Sequence, residues 1–459
     1  MRPLLVSTLV VAAVFTLSAQ APTPWLDQYR ETAKKIIAES QSNDFAWQRL
    51  AELTDTYGNR LSGSDTLSRA IDWAAATMRK DGLENVRKEP VMVPKWVRGK
   101  ESLDLVAPVA QPLVMLGLGN SVGTPVAGIE SDVVVLKSFD DLDRRAAEVK
   151  DHIVLFNVPF TTYGETVVYR RDGPSRVAKA GGSAMLLRSV GPVGLRTPHT
   201  GSLAYAADQP KIPAAAISAE DADRFQRLSD RSVTIRVKLW MDARMEADAP
   251  SANVIGEITG RELPNEVIVL GGHIDSWDVG AGASDDGGGC IVTWEALRLM
   301  QKLGLKPRRT VRVVLFTNEE NGARGGAGYH DAHMKELPNH VLFMESDGGV
   351  FNPGGFGFTG PDPARRTVTA ISTLLAALGA DHILPQGEGT DIAAAAGEGS
   401  KIPSMSHVAT AGGDYFLIHH TPADTIARIT PKQMSDNAAV IAVMAYIIAD
   451  LPWKLGTEK

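Results

Sequence analysis

Cysteine is almost absent: Cys290 is the only one in 459 residues. An intramolecular disulfide is therefore excluded, and so is a structural zinc knot built on thiolates. Cys290 follows a glycine run and opens an apolar helical pattern, so it reads as a small buried residue and not a nucleophile. Also lacking is any Lys/Arg run of the kind that grips nucleic acid or an anionic membrane surface. The formal charge of -7 and pI near 5.9 are mildly acidic and name no partner. No internal repeat or low-complexity tract occurs. Beyond the first residues, no apolar stretch reaches the ~20 residues a bilayer span needs. What is present is ordinary globular composition, 44% hydrophobic and 22% charged, with chain enough for two or three domains and a large core.

The first residues have the layout of an export signal. Met1-Arg2 is a short basic start, Leu4 to Leu17 is almost wholly apolar, and Ser18-Ala19-Gln20-Ala21 offers small residues for cleavage. Residues 1–21 are thus expected to be a signal peptide, and the protein to be exported, periplasmic or secreted. An uncleaved anchor is the alternative, disfavoured because the run is too short to span. No cysteine stands near the cleavage site to carry a lipid.

Residues 24–82 carry helical spacing, as in Trp47, Leu50, Leu53 and Ile71, Ala74, Met78, interrupted by the turn-rich Tyr57-Gly-Asn-Arg-Leu-Ser-Gly-Ser64. Short β-prone runs follow, among them Pro90–Pro94 and Ser102–Val106. Residues 113–246 read as a separate unit, with strand-like runs at 132–136, 153–156, 183–187 and 233–239. That unit does not concentrate His, Asp or Glu. From Asn253 onward, buried-type strands at 267–270, 310–316 and 341–344 alternate with helices near 289–303, 366–378 and 431–450. Such alternation predicts a layered α/β sheet.

The polar residues sit where those strands end. The first strand is followed by His273 and Asp275, the second by Glu319 and Glu320, the third by Asp347. Ligand sites in open α/β sheets gather at the carboxyl ends of strands. Each feature alone is weak: a lone His is usually hydrogen-bonded structure, a Glu pair a solvated surface, a glycine run a tight turn. Together they supply imidazoles and carboxylates without a thiolate, a set that suits zinc, with cobalt or manganese less favoured.

Five phrases occur in order: Gly272-His273-Ile-Asp275-Ser-Trp-Asp-Val-Gly280, Gly282-Ala-Ser-Asp285-Asp286-Gly-Gly-Gly289, Asn318-Glu319-Glu320-Asn-Gly322, Met344-Glu-Ser-Asp347, and His420-Thr-Pro-Ala-Asp424-Thr425. Over nearly the whole mature chain this pattern resembles the M28 family of di-zinc peptidases, and within it a branch that acts on dipeptides with free ends. The resemblance implies a three-layer αβα mixed-sheet zinc-peptidase domain from residues 24–112 and 247–459, with residues 113–246 as an inserted β-rich protease-associated-type domain. It implies two zinc ions per chain. His273 and Asp347 would hold one, Glu320 and His420 the other, and Asp285 would bridge both. Glu319 would be the general base toward a water shared by the metals. Asp275 would hold the free N–H of His273 and fix its tautomer. His419 is also an imidazole, but the spacing to Thr421–Thr425 selects His420. Asp286 is expected to be structural, after a bond that tends to be cis in the family.

The expected activity is hydrolysis of dipeptides or short peptides. The rivals are a broader aminopeptidase of the same family, a single-zinc acyl-transfer enzyme on the same fold, and a non-catalytic binding module. A homodimer is implied by resemblance. Glu388 or Asp391 is a candidate to meet the substrate amine, although Thr390 or Asp391 as the N-cap of a helix over 392–396 is the favoured reading. Tyr415 is read as pocket lining or packing.

Overall fold

Three amphipathic helices lead into the sheet: α1 (Arg30–Gln41), α2 (Phe45–Tyr57) and α3 (Asp65–Lys80). Their three-to-four spacing buries Leu50, Leu53, Ile71, Ala74 and Met78. Ser64 starts α3 by accepting the N–H of Leu67 at 3.1 Å. The computed structural model describes residues 24–410 and 412–457. The expected export signal over 1–21 lies outside these.

The chain then forms β1 (Glu84–Val93) and leaves for a second sheet: β2 (Glu101–Ala107), β3 (Gln111–Leu113), β4 (Met115–Gly117), β5 (Ile129–Leu136), β6 (Ile153–Phe156), α4 (Tyr163–Lys179), β7 (Ala184–Arg188), β8 (Ala214–Ile217), α5 (Ala219–Ser229) and β9 (Arg236–Met241). The order in this sheet is β3-β2-β9-β5-β6-β7-β8-β4. The second unit therefore starts before the expected residue 113, because β2 and β3 belong to it: Leu103 pairs with Leu239 on one side and Leu113 on the other. Local β-propensity in the Ser102–Val106 run gives no clue to which sheet it joins. Entry and exit are tied together where Trp96–Val97 pairs with Arg244–Met245.

The chain returns through β10 (Ala249–Ile258), β11 (Leu263–His273), α6 (Gly288–Lys302), β12 (Arg309–Phe316), α7 (Arg324–His333), β13 (His340–Glu345), β14 (Asn352–Thr359), α8 (Asp362–Ser372), β15 (Ile383–Leu384), α9 (Thr390–Ala396), β16 (Ser404–Thr410), α10 (Gly412–Ile418) and α11 (Pro431–Asp450). The first sheet runs β1-β10-β12-β11-β13-β16-β14-β15. Its centre, β12-β11-β13-β16, is parallel, so these strands point their carboxyl ends to one edge.

Both faces of that centre are covered, which is why every residue of β12 is buried. Side chains alternate across it. Val311, Val313 and Leu315 pack with the layer of α6 and α11, while Val314 and Phe316 pack with that of α7 and α9. The expected three-layer αβα arrangement follows. Helix α11 is the central strut: a capping box of Thr430 and Gln433 starts it, and Met434 through Ala449 are all buried. Cys290 is buried on α6.

Candidate active site

The register sets the site. His273 at the end of β11 lies beside Phe316 of β12, and Gly271 lies beside Glu345 of β13. Glu319, Glu320 and Asp347 therefore leave the sheet at the level of His273. Asp285 comes from the turn before α6, and His420 from the loop after α10. The peptide bond between Asp285 and Asp286 is cis.

Asp285 joins two histidine–carboxylate pairs through different oxygens. Its Oδ1 lies 3.2 Å from His273 Nε2, which is 3.3 Å from Asp347 Oδ1. Its Oδ2 lies 3.1 Å from His420 Nε2, which is 3.0 Å from Glu320 Oε2. All five expected ligand residues thus meet. His419 stacks on His420 with ring centroids 3.5 Å apart and stands 3.6 Å from Asp285 Oδ2.

His273 Nδ1 is 3.0 Å from the backbone carbonyl of Asp275. A carbonyl only accepts, so Nδ1 carries a proton and Nε2 is the nitrogen that faces the carboxylates. The Asp275 carboxylate stands off at 3.9 Å, which corrects the expectation that it holds this imidazole. Instead it accepts the backbone N–H of Glu319 at 3.1 Å, that of Glu320 at 3.4 Å, and the Ser62 hydroxyl at 3.1 Å. It therefore shapes the turn that separates the two glutamates, Glu320 buried in the cluster and Glu319 half-buried.

The electrostatics are those of carboxylates crowded together, with the two imidazoles as their nearest counter-charge. His273 Nε2, Asp285 Oδ2 and Asp347 Oδ1 are buried and have no hydrogen-bond partner. Burial, then Asp285, push Glu320 up to about 8. Burial raises Asp347 to about 6, with Asp285 and Glu319 adding to it. Burial opposes charge on His420, but Glu320 and Asp285 outweigh it and hold the imidazole well above its usual value. Such a cluster takes a divalent cation in place of protons.

The surrounding loops are held by polar side chains. Asp286 accepts the backbone N–H of His273 at 3.0 Å and of Gly289 at 3.1 Å, the structural role expected of it. Asp424 accepts the N–H groups of Ser284 at 2.7 Å and Asp285 at 3.1 Å. Arg60 is fully buried and donates to the carbonyls of Ile274, Ala281 and Gly282 at 2.7–2.9 Å.

A cavity of about 1000 Å³ opens beside Asp347, lined among others by Glu345, Glu388, Ile392, Tyr415 and Phe416 and, among the described residues, by no Lys or Arg. Tyr415 is both wall and packing, since it is 7% exposed. The capping expectation fails: Gly389 is the N-cap of α9, and no side chain caps it. Asp391 is buried with both carboxyl oxygens unpartnered.

The model of "Peptidase family M28" matches residues 253–445. Carboxypeptidase Q of Bos taurus is 44% identical over 426 residues, spanning 92% of this chain and 90% of that protein. The chain belongs to peptidase family M28. As an M28 peptidase it is a hydrolase, and its likeness to carboxypeptidase Q matches the motifs read in the sequence. The crystal structure of a peptidase M28 precursor from Shewanella amazonensis superposes with a TM-score of 0.89 at 33% identity, covering 94% of this chain and 98% of that one. A zinc aminopeptidase from Bacillus subtilis shares the fold, with a TM-score of 0.66 at 19% identity and coverage of 89% and 96%.

Several residues of this M28 site escaped the sequence reading. Arg60, Ser62 and Asp424 lie inside the sequence motifs, where nothing local marks their task. Arg170 and Thr200 reach His420 from the second unit and carry no local signal at all.

Proposed function

We propose that this M28 peptidase is an exported two-zinc exopeptidase acting on dipeptides or short peptides. The observation that carries the reading is the split engagement of Asp285, one oxygen toward His273 and the other toward His420. His273 and Asp347 would hold one zinc and Glu320 and His420 the other, with Asp285 offering an oxygen to each. The donors fit: imidazole nitrogens and carboxylate oxygens, several of them buried without partners, and no thiolate. When bound, zinc supplies Lewis-acid polarisation of the scissile carbonyl and a more acidic water. Glu319 accepts the water's proton on its carboxylate and delivers it to the leaving amine. Asp275 keeps Glu319 facing the substrate while Glu320 faces inward.

The cavity beside Asp347 receives the amino-terminal side of the substrate. Its acidic lining, including Glu388, suits an ammonium group, and it offers no cation for a carboxylate. This feature is shared by the second reading, a broader aminopeptidase on longer peptides. Hydrolysis of a matched panel by the zinc-loaded protein separates them: a free dipeptide, its N-acetyl form, its C-terminal amide and a longer peptide with the same start. Cleavage of the free dipeptide alone supports the dipeptidase. Equal cleavage of the amide and the longer peptide supports the aminopeptidase, and no cleavage of any overturns both.

Export rests on residues 1–21, and N-terminal sequencing of the mature protein tests it. No helix among the described residues is long and apolar enough to cross a membrane. A homodimer is the proposed assembly, to be read by sedimentation.

A further inference from the structure

His420 is held from outside its own sheet. Its residue has a φ of 60°, so the loop alone does not impose a relaxed conformation. Thr200, in the loop between β7 and β8, clasps it at two points. The Thr200 N–H donates to the His420 carbonyl at 3.0 Å, and the Thr200 carbonyl lies 3.3 Å from His420 Nδ1. Arg170 of α4 fixes that carbonyl in turn. Its Nη1 donates to Thr200 O at 3.2 Å, its Nε to Ser202 O at 3.2 Å, and its Nη2 to the Tyr163 hydroxyl at 2.7 Å. Arg170 Nη1 is also 3.3 Å from His420 Nδ1. Arg170 is 5% exposed and Thr200 fully buried. Room for the guanidinium comes from Gly201, whose φ is 130° and where a Cβ would stand 2.1 Å from Arg170 Nη1.

Without the Thr200 carbonyl, His420 Nδ1 would accept from Arg170, and the proton would sit on Nε2, facing Glu320 and Asp285. That form is no metal ligand. With the carbonyl in place, its two lone pairs accept from both Arg170 and His420 Nδ1, so Nδ1 keeps its proton and Nε2 is the nitrogen left to give up its proton to a metal. The second unit is pinned in this pose by Arg98, which pairs with Asp278 at 2.6 Å and donates to Thr200 Oγ1 at 3.2 Å.

We infer that Thr200 and Arg170 of the second sheet's unit are positioning residues that set the ligating tautomer of His420. The unit then supports one metal site without supplying a ligand to it. This rests on the two-zinc reading above.

The test is a zinc titration of the full-length apoprotein, read with a competing chromophoric chelator, for wild type, Arg170→Gln, Arg170→Lys and Tyr163→Phe. Thermal unfolding in excess chelator serves as the control for folding. In Arg170→Gln one of two zinc affinities is expected to fall about 10–100-fold while the other holds, as losses behind a ligand do. Arg170→Lys recovers part of it, and Tyr163→Phe gives a smaller loss at the same zinc. A merely structural role would weaken both zincs together with the apoprotein's Tm. Equal or unchanged affinities in folded variants overturn the inference, and if Arg170→Gln does not fold, Tyr163→Phe and Arg170→Lys decide in the same way. Wild type binding fewer than two zincs instead overturns the two-zinc reading and this inference with it.

Discussion

The carboxylate of Asp275 accepts the backbone N–H of Glu319 at 3.1 Å. The same residue serves His273 through its main-chain carbonyl, so one aspartate does two tasks with two different groups. Substitution separates them. Asp275→Asn keeps the carbonyl but puts an amide N–H opposite the turn of Glu319 and Glu320. Zinc content is expected to stay at the wild-type value while kcat falls about 10–100-fold. Loss of zinc with retained kcat per bound metal would contradict this division.

Glu319→Gln removes the proton acceptor and leaves all five proposed ligands. Turnover is expected to drop by about 10²–10⁴ with unchanged zinc content, measured on the same dipeptide. A variant with wild-type kcat removes Glu319 as the base.

Arg60 is the buried strut of the loops on either side of Asp275. Arg60→Met leaves the carbonyls of Ile274, Ala281 and Gly282 short of a donor in a closed interior. The expected cost is at least about 3 kcal/mol in urea unfolding of the apoprotein, since each buried unsatisfied group costs ~1–3 kcal/mol. A loss below ~1 kcal/mol would show that these loops close without it.

Much of the site is legible in the sequence. The parallel strands announce themselves as apolar runs, and the ligands sit at their ends, so His273, Asp285, Glu320, Asp347 and His420 were all named from the sequence. Strand β14, with Pro353, Gly354, Gly355 and Gly357, hides because glycine and proline argue against a strand. The second unit starts earlier than its sequence suggests because β2 looks the same whichever sheet it joins. Asp275 was assigned by its carboxylate, since a sequence shows side chains and not the aim of a carbonyl. Arg170 lies 250 positions before His420, and no local pattern connects them.

Acid should weaken the fold through buried neutral histidines. His340 accepts from the Tyr329 hydroxyl at 2.8 Å on Nε2 and donates to Glu336 O at 3.1 Å from Nδ1. Burial pushes it from 6.5 down to about 4. Between those values the unfolded chain binds the proton and the folded one does not, so stability rises with pH across the window and is lost on acidification. The contribution is up to about 3 kcal/mol. The urea midpoint of the apoprotein should fall from pH 7 to pH 5, and fall less in His340→Gln. Equal slopes would contradict the assignment.

The bridge through Asp285 stands or falls by a count of bound metal. Zinc per chain is measured by elemental analysis after equilibration with zinc and removal of free metal, for wild type and Asp285→Asn. Wild type is expected to hold two per chain and the variant clearly fewer. One zinc or none in wild type, or two retained by Asp285→Asn, would contradict it.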